Sequence, residues 1–342
     1  MSKRIRGVLP YAATALLALA AACGEDNNNN NNNNNNSDGG NQTDGGNTLG
    51  SGTLTTAAVV ANGAAFSLPF DAAPSPDGKT IYFTGVTPGG ISAAADVPAL
   101  FKVAASGGTT TVLATGGSIG APFGVAVSSD SNTIFVADPA FTTTTDKGAI
   151  FSVSSSGGTP TELSETADYS PFSIALAKVG TSDTIVFVGT DKTTGMTGVF
   201  KDVGGTVSTV IEGPTAANPG AVAIYTDGTI YFTAETGVIY SVAAGATTAT
   251  AVNTAATSLS LSFPAGLAVS QDGKFLLVPN TDPATHGEGI ARIAIAGGAV
   301  TQLALSLSAN TEAGGLHRAA DADVYSFVDT GAQGTGAVYI LK

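Results

Sequence analysis

The chain has 342 residues, enough for one large or two medium domains, and a formal net charge of −13. Such a surface repels phosphate backbones, which argues against nucleic acid as a partner. One cysteine and two histidines exclude an internal disulfide and a Cys/His zinc site. Charged residues make up only 11%, against about 25% for an average soluble domain, and 44 glycines point to turns and short strands rather than long salt-bridged helices.

The first predicted element is an export leader, residues 1–22. Lys3, Arg4 and Arg6 give it a basic start, and an apolar, small-residue run follows. The run is too short for the roughly 20 apolar residues of a membrane-spanning helix. Its end, Leu19-Ala20-Ala21-Ala22-Cys23, resembles the lipobox of bacterial lipoproteins, departing from it in having Ala20 where Leu is usual. The resemblance implies that Cys23 is lipidated and becomes the first residue of the mature chain. Attachment by two or three acyl chains meets the requirement for stable anchoring. The alternative is plain cleavage after Ala20-Ala21-Ala22, which would leave Cys23 as an exposed thiol.

Residues 23–51 form the next segment. Asparagine, glycine, aspartate, serine and threonine dominate it, with Leu49 as the one aliphatic residue. A segment of this kind cannot bury enough apolar surface to offset its ordering entropy, so a disordered tether is expected. It would span roughly 30 Å as a flexible coil, or at most about 95 Å when stretched.

From residue 52 to the end, one pattern returns six times. A small-residue strand begins at Pro or Gly and runs to a polar turn, often Asp-Gly. A β-branched and aromatic strand follows, such as "TIYF" (80–83) or "TIFV" (133–136). A third apolar strand and a Thr-rich fourth complete the unit. The turn anchors Asp77, Asp130, Asp183, Asp227, Asp272 and Asp323 recur at intervals of 44–53 residues. Near-continuous apolarity in the second strands predicts burial on both faces. Each unit therefore reads as a four-stranded antiparallel sheet, and units of this size without helices stack as propeller blades. The sixth copy stops after its third strand. Residues 52–60, "GTLTTAAVV", look like its missing fourth. The expected fold is an all-β, six-bladed β-propeller closed by an N-terminal strand.

"SPDGKTIYF" (75–83) and the Pro-x-Gly-apolar-Ala-Val runs resemble the repeats of six-bladed propellers of the NHL, TolB-like and gluconolactonase (SMP-30) type, over residues 52–342. The resemblance implies architecture far more than activity. Lactonases of this type hold a divalent metal partly through an Asn at a Pro-Asn-Gly strand start. The corresponding positions here are Phe123, Phe172, Gly220 and Ala265, so that ligand cannot be carried over.

The loop after each second strand carries an acid in most copies: Asp138, Asp191, Glu235, Asp282 and Asp329. One acid per blade at a channel mouth suits a hard cation such as calcium, or a sugar-like ligand. The competing expectation is that these acids cap turns. His286, in a polar loop, joins them as a channel-mouth candidate. His317 lies on an inner strand of the sixth copy. No nucleophile elbow is present. Phe123 and Phe172 follow proline at the same repeat position and either line the channel or pack between blades. The sequence thus predicts a lipid-anchored lipoprotein of the cell envelope, in the outer membrane or at the cell surface. Its propeller binds a protein or carbohydrate ligand without catalysis. The alternative is a metal-dependent hydrolase or lactonase working at the channel mouth.

Overall fold

A computed structural model describes residues 54–63, 65–88, 97–116, 118–139, 148–216, 218–253, 259–261, 265–281, 288–307, 311–331 and 336–342. The leader, Cys23, the tether, Asp282 and His286 lie outside the described residues. All described residues belong to one compact unit, Thr48–Lys342.

The chain is all-β. After β1 (Ala57–Asn62) come six groups of strands. The first is β2 (Ser67–Pro74), β3 (Thr80–Thr87), β4 (Val97–Ala104) and β5 (Thr111–Thr115). The second is β6 (Gly124–Val127), β7 (Thr133–Asp138), β8 (Ala149–Ser154) and β9 (Thr161–Glu162). The third is β10 (Tyr169–Val179), β11 (Ser182–Asp191), β12 (Thr197–Val203) and β13 (Val207–Glu212). The fourth is β14 (Pro219–Ile224), β15 (Ile230–Ala234), β16 (Ile239–Val242) and β17 (Thr250–Ala251). The fifth is β18 (Ala268–Val269), β19 (Phe275–Thr281), β20 (Glu288–Ala294) and β21 (Thr301–Gln302). The last is β22 (Ala313–Arg318), β23 (Tyr325–Asp329) and β24 (Ala337–Leu341).

Groups two to five each form a four-stranded antiparallel sheet in chain order. The first and last groups share an eight-stranded sheet, β1-β24-β23-β22-β2-β3-β4-β5. Its halves are antiparallel meanders joined by one parallel bridge, Ala72 to Leu316. β1 lies along β24, with Ala57 opposite Leu341 and Asn62 opposite Ala337. The residues that read as a displaced fourth strand therefore pair with the final strand of the chain. Repeated four-stranded sheets of this kind are consistent with a β-propeller.

The second strands are buried on both faces, as their apolar runs require: Ile81, Phe83, Ile134, Val136, Val186 and Phe232 are each fully enclosed. Cores form between consecutive sheets. Leu100 and Leu113 of the first group meet Val125 and Ile134 of the second. At the seam, Val60, Val328 and Ile340 pack on Ile81, Phe83 and Phe101. Phe83 and Phe101 stack at 5.0 Å and Phe66 meets Phe83 edge-on at 4.7 Å. Each such ring contributes about 1.5–3 kcal/mol by burial.

The turns between first and second strands use one device in three units. The Ser75 hydroxyl donates to Asp77 Oδ1 at 2.7 Å, and the Thr80 N–H donates back to Ser75 Oγ at 3.0 Å. Ser128 with Asp130 and Ser270 with Asp272 repeat the arrangement. Gly78 and Gly273 supply the left-handed residue, each with φ near +69°.

Two of the six expected anchors are elsewhere. In the third unit the hairpin closes at Gly180-Thr181, since Val179 pairs with Ser182, and Asp183 sits inside β11. There its carboxylate accepts the Ser129 N–H of the neighbouring unit at 3.0 Å. In the last unit the Ala319 N–H donates to Val324 O at 2.8 Å, the bond that Ser270 makes to Phe275. That register puts Asp321, not Asp323, in the place of Asp272. Ala319 lacks the hydroxyl, and the Arg318 guanidinium holds this turn by donating to the carbonyls of Ala319 and Ala320.

Candidate functional site

Antiparallel pairing fixes which end of each sheet a residue occupies. Asp138 ends β7, Asp191 ends β11, Asp329 ends β23 and Glu235 directly follows β15. Their partners begin the first strands: Ala137 pairs with Gly124, Asp191 with Tyr169, Ala234 with Pro219 and Asp329 with Ala313. These four acids therefore share the end at which the first strands start.

Each is held locally. Asp138 is fully buried and accepts the N–H groups of Gly120 at 2.6 Å and Ala121 at 3.1 Å. Asp191 accepts Thr193 N–H at 2.6 Å, and Glu235 accepts the Asn218 amide at 2.8 Å. Asp329 accepts Glu312 N–H at 2.9 Å and Gly331 N–H at 3.0 Å. Among the described residues no three His, Cys, Asp or Glu side chains are grouped to hold a metal ion. The oxygens of Asp138 are committed to backbone donors, so this acid does not fit a calcium site. Phe123 is buried against Phe70 of the adjacent sheet, ring centroids 4.8 Å apart, and Phe172 is half-buried in the core between the third and fourth sheets.

The opposite end, where the first strands finish, holds a cavity of about 260 Å³. Every one of the six first strands contributes to it. Aligning the units on their turn hydrogen bonds, and the third on its strand pairing, resolves two tiers of lining. One tier is Ala73, Ala126, Ala175, Ala223, Ala268 and His317. The next is Pro74, Val127, Leu176, Ile224, Val269 and Arg318. Five units therefore present an alanine and an apolar residue, and the sixth presents a histidine and an arginine. Lys178, exposed at the end of β10, adds a third basic group, and Asp321 is the one acid of the lining.

A third position departs in the same way. Gly124, Ser173, Ala221, Gly266 and Gly315 are small, but the first unit has Asp71. Asp71 is buried, with 6% exposure. A Cβ on Gly315 would come within 2.6 Å of its Cα, so only glycine leaves room for it. Asp71 Oδ1 accepts Ala72 N–H at 2.9 Å, and Oδ2 accepts Val125 N–H at 2.8 Å and meets His317 Nε2 at 2.9 Å. Both oxygens already accept backbone N–H groups, so Asp71 faces the ring as an acceptor and Nε2 carries the proton. This pair ties together β22, β2 and β6. It leaves Nδ1 of a neutral ring as an acceptor, with no partner among the described residues.

Arg318 spans the adjacent turn. Nε donates to Val269 O of the fifth sheet at 2.8 Å, and Nη1 reaches the carbonyls of its own turn. Burial pulls its pKa down, yet a guanidinium keeps its charge. It makes no ion pair among the described residues. Asp321 and Asp323 act on it only from beyond ion-pair distance.

His317 was visible in sequence as an inner-strand residue. Asp71, Lys178 and Arg318 were not singled out there. The signal was present: "HR" (317–318) stands where the other copies read Ala followed by Pro, Val, Leu or Ile, and "PFD" (69–71) stands beside "PFG" (122–124) and "PFS" (171–173).

No protein-family model matches the chain, and no curated protein matches it. Among solved structures it is similar to a putative TolB from Agrobacterium tumefaciens, at 15% identity and a TM-score of 0.49, covering 80% of this chain and 90% of that one. It is also similar to an oligogalacturonate lyase from Vibrio parahaemolyticus, at 11% identity and a TM-score of 0.48, covering 85% and 97%. An ancestral GH74 enzyme is similar at 17% identity and a TM-score of 0.48, covering 79% of this chain and 36% of that one.

Proposed function

We propose that this protein is an exported, lipid-anchored binding module of the cell envelope, at the outer membrane or cell surface. Cys23 carries the lipid, the Asn/Gly-rich segment is the tether, and a six-bladed propeller closed by β1 is the cargo. The ligand enters where the first strands end. The observation that carries the binding reading is the cavity to which all six first strands contribute. Pairing of β1 with β24, and a hydrophobic core between the last and first groups, support closure.

The test is capture of envelope components by the full-length protein. Ala320→Trp places a large ring at an exposed position of the cavity rim. It should abolish capture, whereas Glu235→Ala at the far end should not. Capture that survives Ala320→Trp and fails in Glu235→Ala would move the site to the acidic end. Two further expectations accompany it. Cys23→Ser should release the protein from the membrane fraction, and mass spectrometry of the N-terminal peptide should lose its acyl mass. Deleting residues 52–60 should remove most of the folding stability, read by thermal melting.

A further inference from the structure

The cavity combines two features that seldom occur together in so acidic a chain. Its wall is small and apolar, with alanine at five of six equivalent positions. Its ionisable groups stand in two units, Lys178 in the third and His317, Arg318 and Asp321 in the last. Of the four arginines in the sequence two fall in residues 52–342, and Arg318 is one of them. Removing a cation from water without a counter-charge is unfavourable, and an anion seated beside it relieves that penalty. Arg318 has carbonyl acceptors but no carboxylate within ion-pair distance among the described residues. The Lys178 side chain makes no hydrogen bond or ion pair among the described residues, and the His317 ring is fixed by Asp71. The volume, about 260 Å³, falls just below the usual range for drug-sized ligands, so the guest is small.

We propose that this cavity binds a small organic carboxylate, its short apolar chain against the alanine tier and its carboxylate at Arg318, with Lys178 adding positive charge from the third unit. The proposal rests on the binding reading above and names its ligand class. An apolar wall beside Arg318 selects an amphipathic monoanion over inorganic phosphate, which has no part to place against alanine. It also selects against a neutral amide of the same shape, which leaves Arg318 without a counter-charge.

The experiment is titration calorimetry and thermal melting of the full-length protein with butyrate, butanamide and inorganic phosphate at matched ionic strength. Saturable binding of butyrate with a rise in Tm is expected, and none with the other two. Lys178→Met, at an exposed position, should leave the fold intact and weaken butyrate about two- to five-fold. Arg318→Gln should abolish binding. Should that variant fail to fold, Lys178→Met decides. Butanamide matching butyrate, phosphate binding more tightly than butyrate, or Lys178→Met leaving the affinity unchanged would each overturn the proposal. Its failure is separable from that of the binding reading. Envelope capture that is blocked by Ala320→Trp but insensitive to butyrate sinks the carboxylate alone. Butyrate binding with no envelope capture sinks the envelope partner alone.

Discussion

The two ends of the first strands differ in how they use charge. At the end where the strands begin, acids recur at one position per unit, and each described one is tied to nearby backbone or amide donors. In the lining of the cavity at the end where they finish, ionisable side chains are absent from four of the six units: Lys178 stands in the third and His317, Arg318 and Asp321 in the last, with Asp71 reaching His317 from the first. The difference teaches that regularity marks architecture. A residue present in nearly every copy serves what every copy needs, here in most units a tie from the end of the second strand back to the segment that opens the first. A residue that breaks the pattern serves something needed once.

That contrast breaks most directly at Asp138. Replacing it with alanine strands the N–H groups of Gly120 and Ala121 in a buried site. A loss of about 3 kcal/mol in urea unfolding is expected, with butyrate affinity unchanged in the folded fraction. A stable variant that no longer bound the carboxylate would place the site at the acidic end.

Asp71 and His317 test the other side. Asp71→Gly and His317→Ala each restore the residue type found in other units. Each alone leaves its partner without a counterpart, and both together return the seam to the common pattern. A double-mutant cycle should give a coupling of about 2 kcal/mol, with the double variant more stable than the sum of the singles predicts. Additive effects would mean that the two side chains do not act as a pair.

The same contrast explains what was legible in the sequence. Strands, turn anchors and the displaced first strand could be read because each is local, or repeats, or completes a deficit at the chain's end. Asp323 was misplaced because "AADAD" offers two acids two residues apart, and only the hairpin register selects Asp321. Asp183 falls inside a strand because Gly180-Thr181 closes a two-residue hairpin, shorter than the turns that Ser75 and Ser270 close in their units. The Asp71–His317 contact spans 246 residues and exists because the first and last groups are neighbours. No local pattern announces it. The repeating acids are legible because they recur, and most of them recur because each tethers the start of its own first strand.

Two kinds of carboxylate within the architecture give smaller effects of opposite sign. Glu288 opens β20 with Oε2 buried and without a hydrogen-bond partner among the described residues. Burial first, and then Glu312, push its pKa up. A raised carboxylate opposes folding once it ionises, so its unfavourable contribution fades as pH falls through the folded pKa. Glu288→Gln should therefore raise Tm by about 2 °C at pH 7, and the gain should shrink in acid. A fall in Tm at pH 7 would mean that Glu288 is held by a favourable contact. Asp77 and Asp130 behave the other way. The Ser75 hydroxyl holds Asp77 down to about 2, and the Ser128 hydroxyl does the same for Asp130. Their contribution is fully present above the unfolded pKa of about 4 and is lost as pH falls from there towards 2. Both carboxylates are solvent-exposed, so screening keeps the effect small. Asp77→Asn and Asp130→Asn should destabilise slightly at pH 6 in urea titrations, and the deficit should close between pH 4 and pH 2. A deficit that stayed constant with pH would show that these turns depend on the shape of the side chain rather than its charge.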